Sequence, residues 1–339
     1  MTQPFRDIAA IRAAAASLPD ADITAVASAR ARDGELTKPA GALARLEECV
    51  FHLAGWQHRA MPRLEAIRIA IFAGNHGVTA RGVSAYPADV TVQMVANFER
   101  GGAAINQLAR LHGATMSVAA LDLDRPTRDF TISAAMDEAE CLAAVNAGAA
   151  AVPAQCDLLI PGEMGIGNTT AAAALAAALF GGNVASWVGP GTGVSGDALS
   201  NKISVVDAAL KFHGETLGDP LEALCRVGGR ELAALFGAVL MARLQSVPVL
   251  LDGFVVGAAA GVLARLNPAG LDHCLAGHVS AEPGHRQLLA KLQKAALLDL
   301  GMRLGEGAGA AVAIGLLKAA VACHAGMATF AEASVSQRN

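Results

Sequence analysis

Residues 159–175 read LIPGEMGIGNTTAAAAL: an apolar run, a loop with glycines at 165 and 167, then an alanine-rich stretch opened by Asn168, Thr169 and Thr170. A loop of this kind, leaving a strand and entering a helix, turns backbone N–H groups outward. With the helix dipole and two hydroxyls it makes an anion site that suits a phosphate monoester. The competing use of the same residues is a plain turn, with glycine bending the chain and Asn or Thr capping the helix. Glu163 stands at the head of this loop, and a carboxylate in contact with a phosphate would be repelled by it where water is scarce. The two need separate places. Gly165, Ile166, Gly167, Asn168 and Thr169 are therefore candidates for an anion, and Glu163 for something else.

A second glycine-rich loop, GPGTGVSGD at 189–197, repeats the design with Gly191 and Gly193, and Lys202 follows a few residues into the next helical stretch. A backbone nest beside a lysine suits the same phosphate or an attached ribose. Neither loop reads G-x-x-x-x-G-K-[ST], so a nucleoside-triphosphatase loop is excluded. In RLGEGAGAAVAIGLL, Glu306 is the only carboxylate for many residues. It reads either as an acid stabilised by a helix N-terminus or as a poorly solvated general base whose affinity for a proton is raised. His76, in GNHGV, is a polar site contact or a structural residue. His273, His278 and His285, with Cys274, lack the regular spacing of metal ligands and read as capping or packing groups.

The elements that must carry these residues follow from periodicity. Up to about residue 62 apolar positions recur three or four apart, a helical pattern. From Ile67 onward, β-rich runs alternate with helical ones: IRIAIFAG, TMSVAALDL, CDLLIPG, VASWVGPG and PVLLDG, with a sixth at HCLAGHVS. This predicts an α/β fold with a parallel sheet of about six strands covered on both faces. The ligand crevice then lies at the carboxyl ends of the strands, where the glycine-rich loops fall. After about residue 295 the pattern is helical again. The predicted division is a catalytic α/β domain over 63–295 and a small discontinuous helical domain from 1–62 plus 296–339.

Composition narrows the partners. The chain has 339 residues, 53% hydrophobic and 17% charged, enough to bury a large core. A net charge of -4 and 4% aromatics supply neither a basic stripe nor stacking platforms, which excludes nucleic acid. Six scattered cysteines read as thiols of a reducing cytoplasm. The N-terminus lacks a secretion signal, and the apolar runs at 253–264 and 307–317 fall short of the roughly 20 residues of a membrane span. They read as core helices.

Taken together and in order, KPAGALARLEE, FAGNHGV, GVSAYPADVTVQM, GEMGIGNTTAAAAL, GPGTGVSGD, GGRELAAL, LLDGFVVGAAA, GHVSAEPGH and LGEGAGAAVA closely resemble the nicotinate-nucleotide dimethylbenzimidazole phosphoribosyltransferase family over roughly residues 38–312. Asn75 departs from the family's usual Asp before His-Gly-Val, and Ala42 and Ala44 from its common Ser and Gly. The resemblance implies a Rossmann-like large domain, a small helical domain built from both chain ends, a homodimer, and transfer of phosphoribose from nicotinate mononucleotide to 5,6-dimethylbenzimidazole; the pyridinium leaving group of that donor and the lack of a ligand cluster predict a reaction with no cofactor and no metal. It implies Glu306 as catalytic base, and Glu163, Gly165, Gly167, Asn168, Thr169 and Lys202 in the nucleotide site. Ser84, Tyr86, Gln93 and Leu304 fall in segments that line the family's base pocket. The competing readings are a nucleotide-dependent oxidoreductase and a non-catalytic nucleotide-binding regulator. The first strand leads into GNHGV rather than G-x-G-x-x-G, which counts against the first, and Glu306 counts against the second.

Overall fold

In the computed structural model, which describes residues 4–336, three helices precede any strand: α1 (Ile8–Ala16), α2 (Ile23–Glu35) and α3 (Arg45–Gln57). Asp7 and Asp22 cap the first two by accepting backbone N–H groups of the opening turn. Then follow β1 (Ile67–Ala73), α4 (Val90–Glu99), α5 (Ala104–His112), β2 (Thr115–Ala120), α6 (Glu138–Ala150), β3 (Leu158–Met164) and α7 (Asn168–Phe180). After them come α8 (Val184–Trp187), α9 (Asp197–His213), α10 (Pro220–Val227), α11 (Arg230–Leu244) and β4 (Val249–Leu251). The chain continues through α12 (Phe254–Leu266), β5 (Cys274–His278), α13 (Pro283–Lys291), β6 (Ala296–Leu298) and α14 (Ala308–Gly326).

The six strands form one parallel sheet in the order β2-β1-β3-β4-β5-β6. The period-2 geometry of a strand splits β1 between two cores. Ala70 and Phe72 pack with α1, α6, α7, α11 and α12 on one face, whereas Ile69 and Ile71 pack with α3, α5 and α14 on the other. Burial on both sides is why β1 and β3 read as near-continuous apolar runs.

Two sequence expectations are corrected. VASWVGPG is not a strand: Asn183 caps the short helix α8, Trp187 is buried with its indole N–H donated to Gly181 O, and the chain after it is a loop. HCLAGHVS does supply β5, and the sixth strand is β6, inside the stretch read as helical after residue 295. Three residues at a sheet edge are too few to show alternation.

Helix α14 is also longer than the apolar run at 307–317. Its 19 residues are long and apolar enough, by length and composition, to cross a membrane. In the fold Ala310, Ile314, Leu317 and Ala320 are buried, and the helix packs on α3, α5 and β5, so it is a core helix that joins the two ends of the chain on one face of the sheet.

Ala44, just before α3, holds φ 43° and ψ -110°, a conformation that suits glycine and strains a side chain bearing Cβ. The residue is exposed, so removing its methyl group forfeits little packing. Ala44→Gly should raise stability by about 1 kcal/mol, the strain relieved outweighing the added freedom of the unfolded chain. A denaturant midpoint that moves up at constant slope is the expected result; an unchanged or lower midpoint would show that the alanine carries no strain.

Candidate functional site

The carboxyl ends of β3, β4 and β5 surround a cavity of about 260 Å³. Glu163, Gly165, Ile166, Asn168 and Thr169 line it from the β3–α7 connection, and Gly191 and Thr192 from the loop before α9. Asp252 and Gly253 enter after β4, His278, Ser280 and Glu282 at and after β5, and Arg303, Leu304 and Gly305 before α14. Tyr86 reaches the cavity from the loop ahead of α4. The crevice thus lies where a parallel sheet of this kind binds ligands.

Two buried carboxyls with raised proton affinity stand at it: Glu163 in its wall, and Glu306, which is outside the wall but directly follows the wall residue Gly305. Glu163, in β3, is buried, and the Asn168 side-chain amide donates to its Oε2. Burial pushes its proton affinity up to about 8, and the charges of Asp252, Glu231 and Glu306 push the same way against the pull of Asn168. Glu306 is 5% exposed, and its Oε2 has no hydrogen-bond partner among the described residues. Burial and the charge of Asp252 raise it to about 7. Gly305, Glu306 and Gly307 are three successive residues with φ of 83°, 63° and 78°. This left-handed turn carries the Glu306 backbone against Gly162 of β3 and brings Gly305 so close to Glu163 that a Cβ there would collide with its carboxyl. A non-glycine residue held at positive φ is stored strain of the kind found at working sites. Glu306 also precedes the cap of α14, Gly307, and is not in that helix's first turn.

The anion loop differs from its sequence reading. Its N–H groups do not all face outward: Ile166 donates to Thr91 Oγ1 at 3.1 Å, Asn168 to Gly165 O at 3.1 Å and Thr170 to Gly167 O at 2.9 Å. Asn168 turns its side chain to Glu163, which answers why a carboxylate heads a glycine-rich loop: it is bound into the loop's own hydrogen bonding. Gly167 is the cap of α7 at φ 92° and forms no part of the cavity wall.

Lys202 is 1% exposed and lies behind the wall, where its Nζ donates to Thr169 Oγ1 at 2.8 Å and to Gly189 O at 3.0 Å. Burial lowers its amine to about 8, opposed by the charge of Glu282. Glu282 Oε1 accepts from the Gly191 N–H at 2.9 Å, and Arg303 Nη1 donates to Gly191 O at 3.0 Å. Lys202 therefore ties the second loop to the first, while Glu282 and Arg303 tie it to the connections after β5 and before α14.

Gly193, with φ 121°, and Gln93, exposed on α4, stand outside the cavity wall, as does Ser84, whose hydroxyl meets Thr192 Oγ1 at 3.2 Å. Tyr86 and Leu304 lie at the rim, each 55% exposed. Sequence reasoning missed Thr91, Asp252, His278, Glu282 and Arg303 as site residues. Their segments were legible as loops or as a strand, but only the positions of Asp252 and His278 at strand ends could have singled them out.

The other histidines separate. His273 Nε2 donates to Val239 O at 3.0 Å, and His285 Nδ1 accepts from the Ser280 N–H at 2.8 Å. His278 Nε2 lies 3.4 Å from Asp252 Oδ1 in the cavity wall. Among the described residues no three His, Cys, Asp or Glu side chains converge as metal ligands. Asn75 donates its amide to Leu123 O at 3.0 Å, a bond that an ionised aspartate in the same place would lack the hydrogen to make.

Comparison with known proteins places this architecture. The family described as Phosphoribosyltransferase matches residues 18–335. The chain is similar to the nicotinate-nucleotide–dimethylbenzimidazole phosphoribosyltransferase of a Cereibacter sphaeroides strain, 57% identical over 337 residues that cover 99% of this chain and 100% of that one. It is likewise 57% identical over 335 residues to the protein of that name from Mesorhizobium japonicum, again 99% of this chain and 100% of the other. The crystal structure of the corresponding Thermus thermophilus protein matches with a TM-score of 0.86 at 41% identity, covering 94% of this chain and 100% of that one. With a parallel sheet whose carboxyl-end loops bring Glu163 and Glu306 together, and with likeness at this level along nearly its whole length, the chain belongs to the nicotinate-nucleotide dimethylbenzimidazole phosphoribosyltransferase family.

Proposed function

We propose that the protein transfers the phosphoribosyl group of nicotinate mononucleotide to 5,6-dimethylbenzimidazole, yielding α-ribazole 5'-phosphate and nicotinate in the lower-ligand branch of cobalamin synthesis. The observation that carries this reading from the structure is the pair of buried carboxyls, Glu163 in the cavity wall and Glu306 in the turn just after the wall residue Gly305, whose proton affinities are raised to about 8 and about 7. The 57% identity to enzymes named for this reaction supports it.

The chemistry balances without a further reactant. The bond from ribose C1' to the pyridinium nitrogen breaks, and its electron pair returns to the ring, which leaves neutral at nitrogen and needs no acid. One nitrogen of the benzimidazole attacks C1' from the opposite face, which turns the β-linkage into an α-linkage. The proton on its other nitrogen passes to Glu306, a base whose proton affinity lies near the working pH. Glu163 faces the ribose and the positive charge that develops at C1', where a carboxylate is favourable. The phosphate lies toward Thr169, Gly191 and Lys202, with Gly165, Ile166, Gly167, Asn168 and Gly193 shaping the loops. Ser84, Tyr86, Gln93 and Leu304 border the acceptor base at the outer side of the crevice.

The reading takes no cofactor. It places the enzyme in the cytoplasm, in keeping with six free cysteines, and as a homodimer, which its mass in solution tests. Incubation with nicotinate mononucleotide and a panel of benzimidazoles and purines, with products identified by mass, tests the reaction; failure to form any α-nucleotide would reject it. Loss of the donor's phosphate removes charge-assisted hydrogen bonds worth about 1.5–3 kcal/mol each, so two such bonds put nicotinate riboside roughly 10²- to 10⁴-fold weaker in binding than the mononucleotide. Calorimetry giving equal dissociation constants would move the phosphate away from these loops.

A further inference from the structure

Beneath the cavity wall lies a buried acid that the reaction as written does not use. Glu231, at the second position of α11, meets His76, in the loop after β1, with Oε1 2.5 Å from His76 Nε2 and both side chains at 0% exposure. The remaining Glu231 Oε2 and His76 Nδ1 have no partner among the described residues. The backbone closes tightly on the pair: a Cβ on Gly74 would strike the Glu231 carboxyl, and one on Gly229 would strike the His76 ring. A Cβ on Gly165, in the cavity wall, would sit 3.2 Å from Glu231 Oε1. Three connections, after β1, after β3 and into α11, are thus built around one buried hydrogen-bonded contact. An acid in the first turn of a helix is stabilised by the helix dipole, and losing one partner of a buried pair leaves an uncompensated polar group.

We infer that His76 and Glu231 are positioning residues: His76 orients Glu231 under the Gly165 loop, and Glu231 adds its negative charge to that of Glu163 at the face where C1' of the donor becomes cationic. The groups facing Glu163 are Glu231 from α11, Asp252 from the end of β4, Glu306 from the turn before α14, and the neutral amide of Asn168 from α7. Of the acids, Glu231 is the one held outside the cavity wall by a histidine. The same charge has two effects of known sign. It makes Glu163 harder to ionise, and once Glu163 is ionised it deepens the negative potential that attracts the oxocarbenium-like centre.

This inference rests on the proposed reaction. Glu231→Gln is isosteric and lets the amide oxygen accept from His76, so the fold is expected to persist while the charge is lost. The plateau kcat at alkaline pH should fall about tenfold, KM for nicotinate mononucleotide should stay within about threefold, and the acidic limb of the pH profile should move to lower pH. A pair that only braces α11 would lower Tm and leave the limb where it was, and an unmoved limb overturns the inference. If that variant does not fold, Glu231→Asp withdraws the charge by one methylene and should move the limb the same way by less; an unmoved limb there is equally decisive. An inactive wild type would count against the reaction itself, whereas an active wild type with unmoved limbs in the variants counts against the pair alone.

Discussion

Glu306→Gln leaves binding of the nucleotide and the benzimidazole within a few-fold of wild type and lowers turnover by about 10²-fold or more, the usual worth of a positioned general base. The amide fills the carboxyl's volume, so the strained turn at Gly305–Gly307 keeps its shape. What disappears is the ability to take a proton. Because burial and Asp252 hold the Glu306 carboxyl at about 7, it is protonated and idle below that pH. In the wild type kcat/KM should therefore fall as the pH drops from about 8 through about 7, as Glu163 and then Glu306 take up protons, and the variant should lose the Glu306 part of that dependence and keep the part set by Glu163. Calorimetry and steady-state kinetics from about pH 5 to about pH 9 check both parts; near-normal turnover in the variant would leave Glu306 a structural acid and remove it from the mechanism.

Glu163→Gln should cut kcat by roughly 10²-fold, comparable to loss of one preorganised electrostatic contact, while the dissociation constant for nicotinate mononucleotide rises much less. The benefit of a carboxylate grows as C1' becomes cationic, so its removal is felt in the transition state more than in the bound donor. Weaker binding with unchanged turnover would make Glu163 a ribose-holding group. The substitution has a second signature. A carboxyl with a native proton affinity of about 8, against 4.5 for the ordinary group, holds its proton more tightly when folded than when unfolded. Its ionisation thus opposes folding, a penalty absent below about pH 4.5, growing between the two values and complete above about pH 8. Glu163→Gln should accordingly be more thermostable than the wild type at about pH 9, with the difference vanishing toward about pH 4. Stability sacrificed for a reactive acid is a familiar exchange at working sites.

Much of this was legible in the chain because the relevant signals are local. β1 and β3 announce themselves as apolar runs since both their faces are covered, and the loops after them as glycine clusters since the turns demand it. The strand expected at VASWVGPG failed because a capped turn anchored by Trp187 outweighs β propensity in a stretch of four residues. β6 escaped because three residues carry no period. In the site, Glu163 stood out as a carboxylate at the head of a glycine-rich anion loop, and Glu306 as the lone acid of an apolar stretch. Asp252, Glu282 and Arg303 did not, because their part in the crevice exists only where the ends of β4 and β5 and the start of α14 converge, and no spacing in the sequence records that. The anion loop was over-read for a similar reason: half the N–H groups from Gly165 to Thr170 are spent on Thr91 and on the loop's own carbonyls, and the first of these lies 75 residues away.

Helix α14 sets an order of assembly. Its apolar length would satisfy a membrane, yet α3, α5, β5 and the other elements it packs on all precede it in the chain. In a polypeptide made from its N-terminus and folding as it emerges, the groove that receives α14 is synthesised before the helix is. A segment long and apolar enough to span a membrane therefore has a docking site waiting when it appears. A circular permutation that moved α14 ahead of β1 would keep every contact of the native state and forfeit that protection, leaving its apolar face dependent on chaperones during synthesis.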